Sequence, residues 1–169
     1  MHPLVKLAKD TAELYIREGK VLSRPLGDLP PEMNERAGVF VCLKIRGMLR
    51  GCIGTFEPQE QDVASEVIRN AVSAATCDPR FSCVRSDELE HIEYTIDVLT
   101  APEQVNSEAD LDPKRYGVIV QAGRRRGLLL PDLEGVDTVK AQVGIAMQKA
   151  GIAPGAAVTL SRFEVKRYH

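Results

Sequence analysis

Histidine is scarce in this sequence: there are three, His2, His91 and His169, and two of them sit at the termini. A Ser–His–Asp or Cys–His arrangement therefore has one base to draw on, and His91 lies far from any marked nucleophile in the chain. Long apolar runs are missing too. No segment approaches the roughly 18 uninterrupted apolar residues of a membrane span. The start Met1-His2-Pro3-Leu4-Val5-Lys6 has neither the charged opening nor the apolar core of a secretory signal. These absences predict a cytoplasmic protein with no membrane partner, in a compartment where thiols stay reduced. An excess of one charge is also lacking: 22 basic and 24 acidic residues leave a net charge of −2, which argues against a bulk electrostatic binder of nucleic acid. The cysteines are Cys42, Cys52, Cys77 and Cys83, and no two have the C-x2-C spacing that brings thiolates together on one metal. No metal site is expected, and with no Gly-rich dinucleotide or phosphate loop, no cofactor.

What remains is an ordinary globular composition, 44% hydrophobic and 27% charged, in a chain of single-domain length, residues 1–169. Pro3–Glu18 has apolar residues at helical spacing and a Gly19 stop. Leu22–Arg36, with Pro25, Pro30 and Pro31, reads as a surface tether. Gly38–Ile45 and Met48–Phe56 read as strands turning at Gly47. Asp62–Thr76 is the clearest helix, with an acidic entry and a stop at Asp78-Pro79. Ser86–Leu89 is a capped turn before the alternating strand His91–Leu99. Tyr116–Gln121 and Gly127–Leu130 flank a hairpin turn at Ala122–Arg126. Val136–Ala150 is a last helix and Ala157–Tyr168 a last strand. Antiparallel hairpins interspersed with helices predict an α+β fold, mainly antiparallel sheet flanked by helices.

The stretch Leu49-Arg50-Gly51-Cys52-Ile53-Gly54 stands out. Strand alternation puts Leu49, Gly51 and Ile53 on one face, toward the core, and Arg50 and Cys52 on the other. The preceding strand divides as Val41, Leu43, Ile45 against Cys42, Lys44, Arg46. For both apolar sets to share a core, the turn between them needs an odd number of residues, since a one-residue slip inverts every side chain. The second face then gathers Lys44, Arg46, Arg50 and Cys52, with Cys42 as a further candidate. A partly exposed thiol among cations is the setting in which cysteine becomes reactive, and Gly51 and Gly54 leave room for a ligand or another backbone. Against this stands the bland reading: free cysteine is among the residues most often buried as a small inert hydrophobe.

Leu49-Arg50-Gly51-Cys52-Ile53-Gly54-Thr55-Phe56 resembles the signature of the AMMECR family. Co-linear matches extend along the chain: Gly38–Val41, Asn70-Ala71, Asp78-Pro79-Arg80-Phe81, Tyr116–Val120, Gly127–Pro131 and Lys149-Ala150-Gly151. Cys42 and Cys77 stand where the family would have Thr or Ser and an acidic residue, so neither receives a family role. The resemblance implies a sheet flanked by helices with a smaller appended subdomain. It also implies a place in the AmmeMemoRadiSam system, with a Memo-like protein and a radical-SAM protein as partners.

Two functions follow as expectations. One is a small enzyme or enzyme component using Cys52, with Arg50 beside it, on a nucleotide, nucleic-acid base or other anion. Asn70, Asp78, Arg80, Gly51 and Gly54 would then bind the substrate. The other is a non-catalytic binding or scaffold module for the named partners. Asn70 shares a helical row with Val63, Val67 and Ala74, and either ties the helix down or lines a pocket. Asp78 and Arg80 are placed to brace each other, with Arg80 also suited to an anion. Arg124-Arg125-Arg126 is either a solvated turn or a small anion or RNA contact without aromatic stacking.

Overall fold

In the computed structural model, which describes all 169 residues, the chain forms two compact units. The first holds residues 1–99 and 166–169, the second residues 100–165. No helix is long and apolar enough to cross a membrane.

The first unit begins with α1, Pro3–Glu18. Its first turn carries Pro3, and the His2 ring accepts the Leu4 N–H. Gly19, at φ +68°, ends it in the left-handed conformation that glycine takes without steric cost. The tether contains one short turn of helix, α2 (Pro31–Asn34), within the proline-rich stretch. α3 runs Val63–Thr76; the Asp62 carboxylate caps it by accepting the Ser65 N–H at 2.9 Å. Four strands make the first sheet: β1 (Val39–Ile45), β2 (Met48–Thr55), β3 (Ile92–Leu99) and β8 (Val165–Tyr168), in the order β2-β1-β3-β8. Val39, Val41, Leu43 and Ile96 are buried on the face that meets α1 and α3. Each such side chain contributes roughly 1.5–3 kcal/mol through the apolar area it removes from water. β2 is an edge strand.

The second unit has β4 (Glu103–Val105), β5 (Gly117–Ala122), β6 (Arg125–Leu129) and β7 (Thr159–Phe163), in the order β4-β7-β5-β6. α4 (Val139–Ala150) packs Val143 and Ala146 against Val118, Val120 and Leu129. The sequence reads Ala157–Tyr168 as one strand. In the structure it breaks at Glu164, and its two halves join different sheets. The Glu164 backbone is engaged there by Thr100, N–H to Oγ1 and O to N–H, both at 2.9 Å. The α+β class holds, with antiparallel pairing between the strands of both sheets.

Candidate functional site

Strand parity predicts an odd-numbered turn between β1 and β2; the structure corrects this, with an even turn and the odd residue in a bulge outside it. Ile45 pairs with Met48 across a two-residue turn, Arg46-Gly47, with φ of +52° and +76°. These are the positive values that let a tight hairpin follow the strand twist. Beyond it the register shifts between Leu43 and Lys44, so that Lys44 faces Leu49 while Leu43 faces Gly51. Arg50 is the extra residue of a β-bulge.

The bulge corrects two expectations. Leu49 does not share the core face with Gly51 and Ile53: it pairs with exposed Lys44 and is itself 39% exposed. Arg50 does not extend alongside the Cys52 side chain in a regular strand. Its guanidinium reaches the segment before β3, donating from Nε (2.7 Å) and Nη2 (3.0 Å) to the two carboxylate oxygens of Glu88. Nη1 and Nη2 also donate to the carbonyls of Ser82 and Cys83, at 2.9 and 3.2 Å. Hydrogen bonding to Glu88 raises the Arg50 pKa, and the same bond holds the Glu88 carboxyl below its usual range.

Past the bulge the register places Cys42 opposite Cys52, and the two are joined as a disulfide. Their Cα atoms are 4.1 Å apart, the close spacing of an antiparallel pair that exchanges no backbone hydrogen bonds. Cys52 is therefore not a free thiol in this structure. A nucleophile there would first require reduction, contrary to the expectation of a compartment-reduced cysteine. Cys77 and Cys83 are free and exposed.

Since Cys52 turns its backbone away from β1, its N–H and carbonyl face the open edge of the sheet. Both are taken. The Asp78 carboxylate accepts the Cys52 N–H at 2.9 Å, and Arg80 Nη2 donates to the Cys52 carbonyl at 3.2 Å. Asp78 and Arg80 also bond each other through both carboxylate oxygens. With its side chain 2% exposed, Asp78 has its carboxyl held far below the ordinary range, first by Arg80 and then by the N–H groups of Cys52 and Arg80. The two behave as a substitute strand, satisfying an edge that would otherwise recruit another chain. Phe81, next in sequence, lies between the two arginines, its ring centre 6.0 Å from the Arg50 guanidinium carbon and 5.5 Å from that of Arg80. The two sequence motifs, Leu49–Phe56 and Asp78–Phe81, thus interlock.

The remaining site residues have packing roles. A β-carbon on Gly51 would lie 2.2 Å from the Ala74 carbonyl oxygen of α3, so glycine there lets helix and strand touch. Gly54 is covered by the Phe40 ring, its cross-strand partner. Asn70, 1% exposed, donates to the Val39 carbonyl at 2.9 Å and to Thr55 Oγ1 at 3.2 Å. Of the two readings, it is the tie: it fastens α3 across the ends of β1 and β2. Asn70 lies at the far end of the hairpin from Arg50. A groove of about 460 Å³ runs along Ser65, Ile68, Arg69 and Val72 of α3 and Leu22 of the tether, and it contains none of the site residues named above.

Sequence reasoning missed Glu66 and Glu88. Glu66 is fully buried, accepting from the N–H groups of Gln59 (3.0 Å) and Glu60 (2.7 Å) and from the Thr55 hydroxyl. Its signal was available: it stands four residues before Asn70, a carboxylate in a helix segment otherwise turned inward. In the second unit the basic run is not a free patch. Arg124 lies in the two-residue turn, Arg125 donates to the Gly151 carbonyl at the end of α4, and Arg126 donates to Gln121 Oε1 at 3.3 Å.

The AMMECR1 family model matches residues 5–169. The chain belongs to this family. A Thermotoga maritima protein is 52% identical across 99% of this chain and 97% of its own length. A Clostridium acetobutylicum protein is 47% identical across 98% of this chain, which spans only 36% of that longer relative. Among solved structures, the uncharacterized protein PH0010 of Pyrococcus horikoshii superposes with a TM-score of 0.90 at 31% identity, covering 97% of this chain and 88% of that one. The family and the fold are thereby shared with archaeal and bacterial proteins.

Proposed function

We propose that this AMMECR1-family chain is a binding module that docks a Memo-like protein, and with it a radical-SAM protein, through the tip of the β1–β2 hairpin. One observation carries the reading. The polar groups of the signature are spent inside the unit, while Met48 and Leu49 at the tip are 69% and 39% exposed. Arg50 is committed to Glu88 and two carbonyls, Asp78 and Arg80 to each other and to Cys52, and Asn70 to β1 and β2. Such an arrangement makes a rigid platform with exposed apolar side chains at its end, the kind of feature that marks a contact surface. The double substitution Met48→Asp with Leu49→Asp should weaken capture of the co-expressed Memo-like protein at least about tenfold, a loss of about 1.4 kcal/mol. Unchanged capture would remove the tip as the docking site.

The enzyme reading is favoured by one separate feature: the Arg80 side chain is 54% exposed beside the Cys52 carbonyl, where an anion can approach. It requires the reduced thiol. Loss of pathway function in Cys52→Ser with partner capture intact would support it, whereas retained function would eliminate it.

A further inference from the structure

We propose that Cys42 and Cys52 form a reversible thiol–disulfide exchange site whose reducing substrate is a dithiol. Three features of the hairpin carry the proposal, and none depends on the docking reading.

Accessibility is the first. Both cysteines are half-buried, not enclosed in the core, and they occupy the sheet face opposite α1 and α3, since their neighbours Val41, Leu43 and Gly51 take the inner one. An external thiolate can therefore reach a sulfur.

The second is that the hairpin does not need the bond. β1 and β2 are aligned by seven residue pairs and a two-residue turn, and β1 is paired along its whole length with β3 on its other side. The β5–β6 hairpin of the second unit closes on a two-residue turn with no cross-link.

Third, the position of Cys52 is held by groups that the bond does not involve. Its N–H is fixed to Asp78 and its carbonyl to Arg80, so breaking the sulfur–sulfur bond leaves both backbone contacts in place. Cys42 remains opposite within a central strand. Two thiols so confined re-form their disulfide as an intramolecular reaction at high effective concentration.

The chemistry balances as a two-electron exchange. A thiolate of the dithiol attacks one sulfur of the Cys42–Cys52 bond, that bond breaks, and a mixed disulfide forms. The partner cysteine leaves in that step as its thiolate. The second thiol of the reagent, as thiolate, then attacks the reagent's own sulfur in the mixed disulfide, releasing the cysteine first attacked. Two electrons and two protons pass to Cys42 and Cys52, and the dithiol leaves as its own disulfide. The exposed Cys77 adjoins Asp78, and the Cys83 carbonyl accepts from Arg50. Both are therefore at the same corner, and the test must silence them.

The test uses the full chain carrying Cys77→Ser and Cys83→Ser, equilibrated with reduced and oxidised dithiothreitol at a series of ratios. Samples are acid-quenched, alkylated and weighed intact, while far-UV circular dichroism and melting follow the fold. The expected result is one reversible transition between zero and two alkyl groups, with the folded spectrum kept at both ends. Adding Cys42→Ser should abolish it, leaving one alkyl group at every ratio. Three results would overturn the proposal: a bond that resists excess dithiothreitol until the protein is unfolded, loss of the fold on reduction, or failure of the disulfide to form at any ratio.

Discussion

In both units a helix carbonyl is pressed onto a glycine of a hairpin's second strand. Ala74 of α3 meets Gly51 of β2, and Ala146 of α4 meets Gly127 of β6. Both hairpins turn in two residues and both second strands are sheet edges. The β5–β6 pair stops there, with a regular register from Val118–Leu129 to Ala122–Arg125. The β1–β2 pair adds a bulge at Arg50, the Cys42–Cys52 bond and the Asp78–Arg80 clip. Since the simpler hairpin folds without these additions, they are not what a hairpin under a helix requires.

The largest effects should fall on what the hairpins share. Gly51→Ala and Gly127→Ala would place a β-carbon 2.2 and 2.0 Å from a backbone oxygen that cannot swing aside. Each should cost about 3 kcal/mol, the upper end for overpacking, as read from urea unfolding midpoints. Tolerance of either substitution would break the equivalence of the two hairpins.

Next comes the clip, present in only one of them. Asp78→Ala removes the acceptor of the half-buried Cys52 N–H and frees Arg80, and should cost about 2 kcal/mol. Gly51 and Cys52 should then show faster amide hydrogen exchange while β5 and β6 are unaffected. No local increase in exchange would mean that the edge is protected by something else.

The clip also sets an acid signature. Asp78 and Glu88 both have folded-state pKa values below their unfolded ones, so each contributes stability that is present above about pH 4 and lost as pH falls through the folded values. Asp78→Asn lacks its share of that linkage. The stability gap between the parent protein and Asp78→Asn should therefore narrow as pH is lowered from 5 to about 2.5. A gap independent of pH would show that the carboxylate charge is not what matters.

Much of this was legible in the sequence because periodicity and punctuation are local. Pro3–Glu18 emerges with its predicted ends, and α3 starts one residue after the predicted Asp62, which caps it. Strand parity demanded an odd-numbered turn, but the turn has two residues and the odd one sits in a bulge whose Arg50 is bonded to Glu88, 38 positions away. An odd turn centred on Gly47 already places Cys42 opposite Cys52; the assumption of reduced thiols hid the pairing. Asp78 and Arg80 were expected to brace each other, two residues apart. Their grip on Cys52 spans 26 positions, and no local pattern encodes it. The break at Glu164 was missed for the same reason, since β7 and β8 are separated by their partners and not by a turn residue.

The smallest predicted effect tests the other edge. On β6, the exposed Lys149 side chain donates to the Leu128 carbonyl at 3.0 Å, the nearest counterpart to Arg80 on Cys52. It differs in being a flexible ammonium on an exposed side chain. Water can replace such a donor, so Lys149→Ala should cost no more than about 0.5 kcal/mol by urea unfolding. Repeating the measurement in high salt separates the two edges further. A screened surface contact should leave the Lys149→Ala cost near zero, whereas the Asp78→Ala cost, arising at a carboxylate only 2% exposed, should persist. Equal costs at both edges would mean that Asp78–Arg80 is ordinary edge protection, and the case for a specialised β1–β2 hairpin would then rest on the bulge and the disulfide alone.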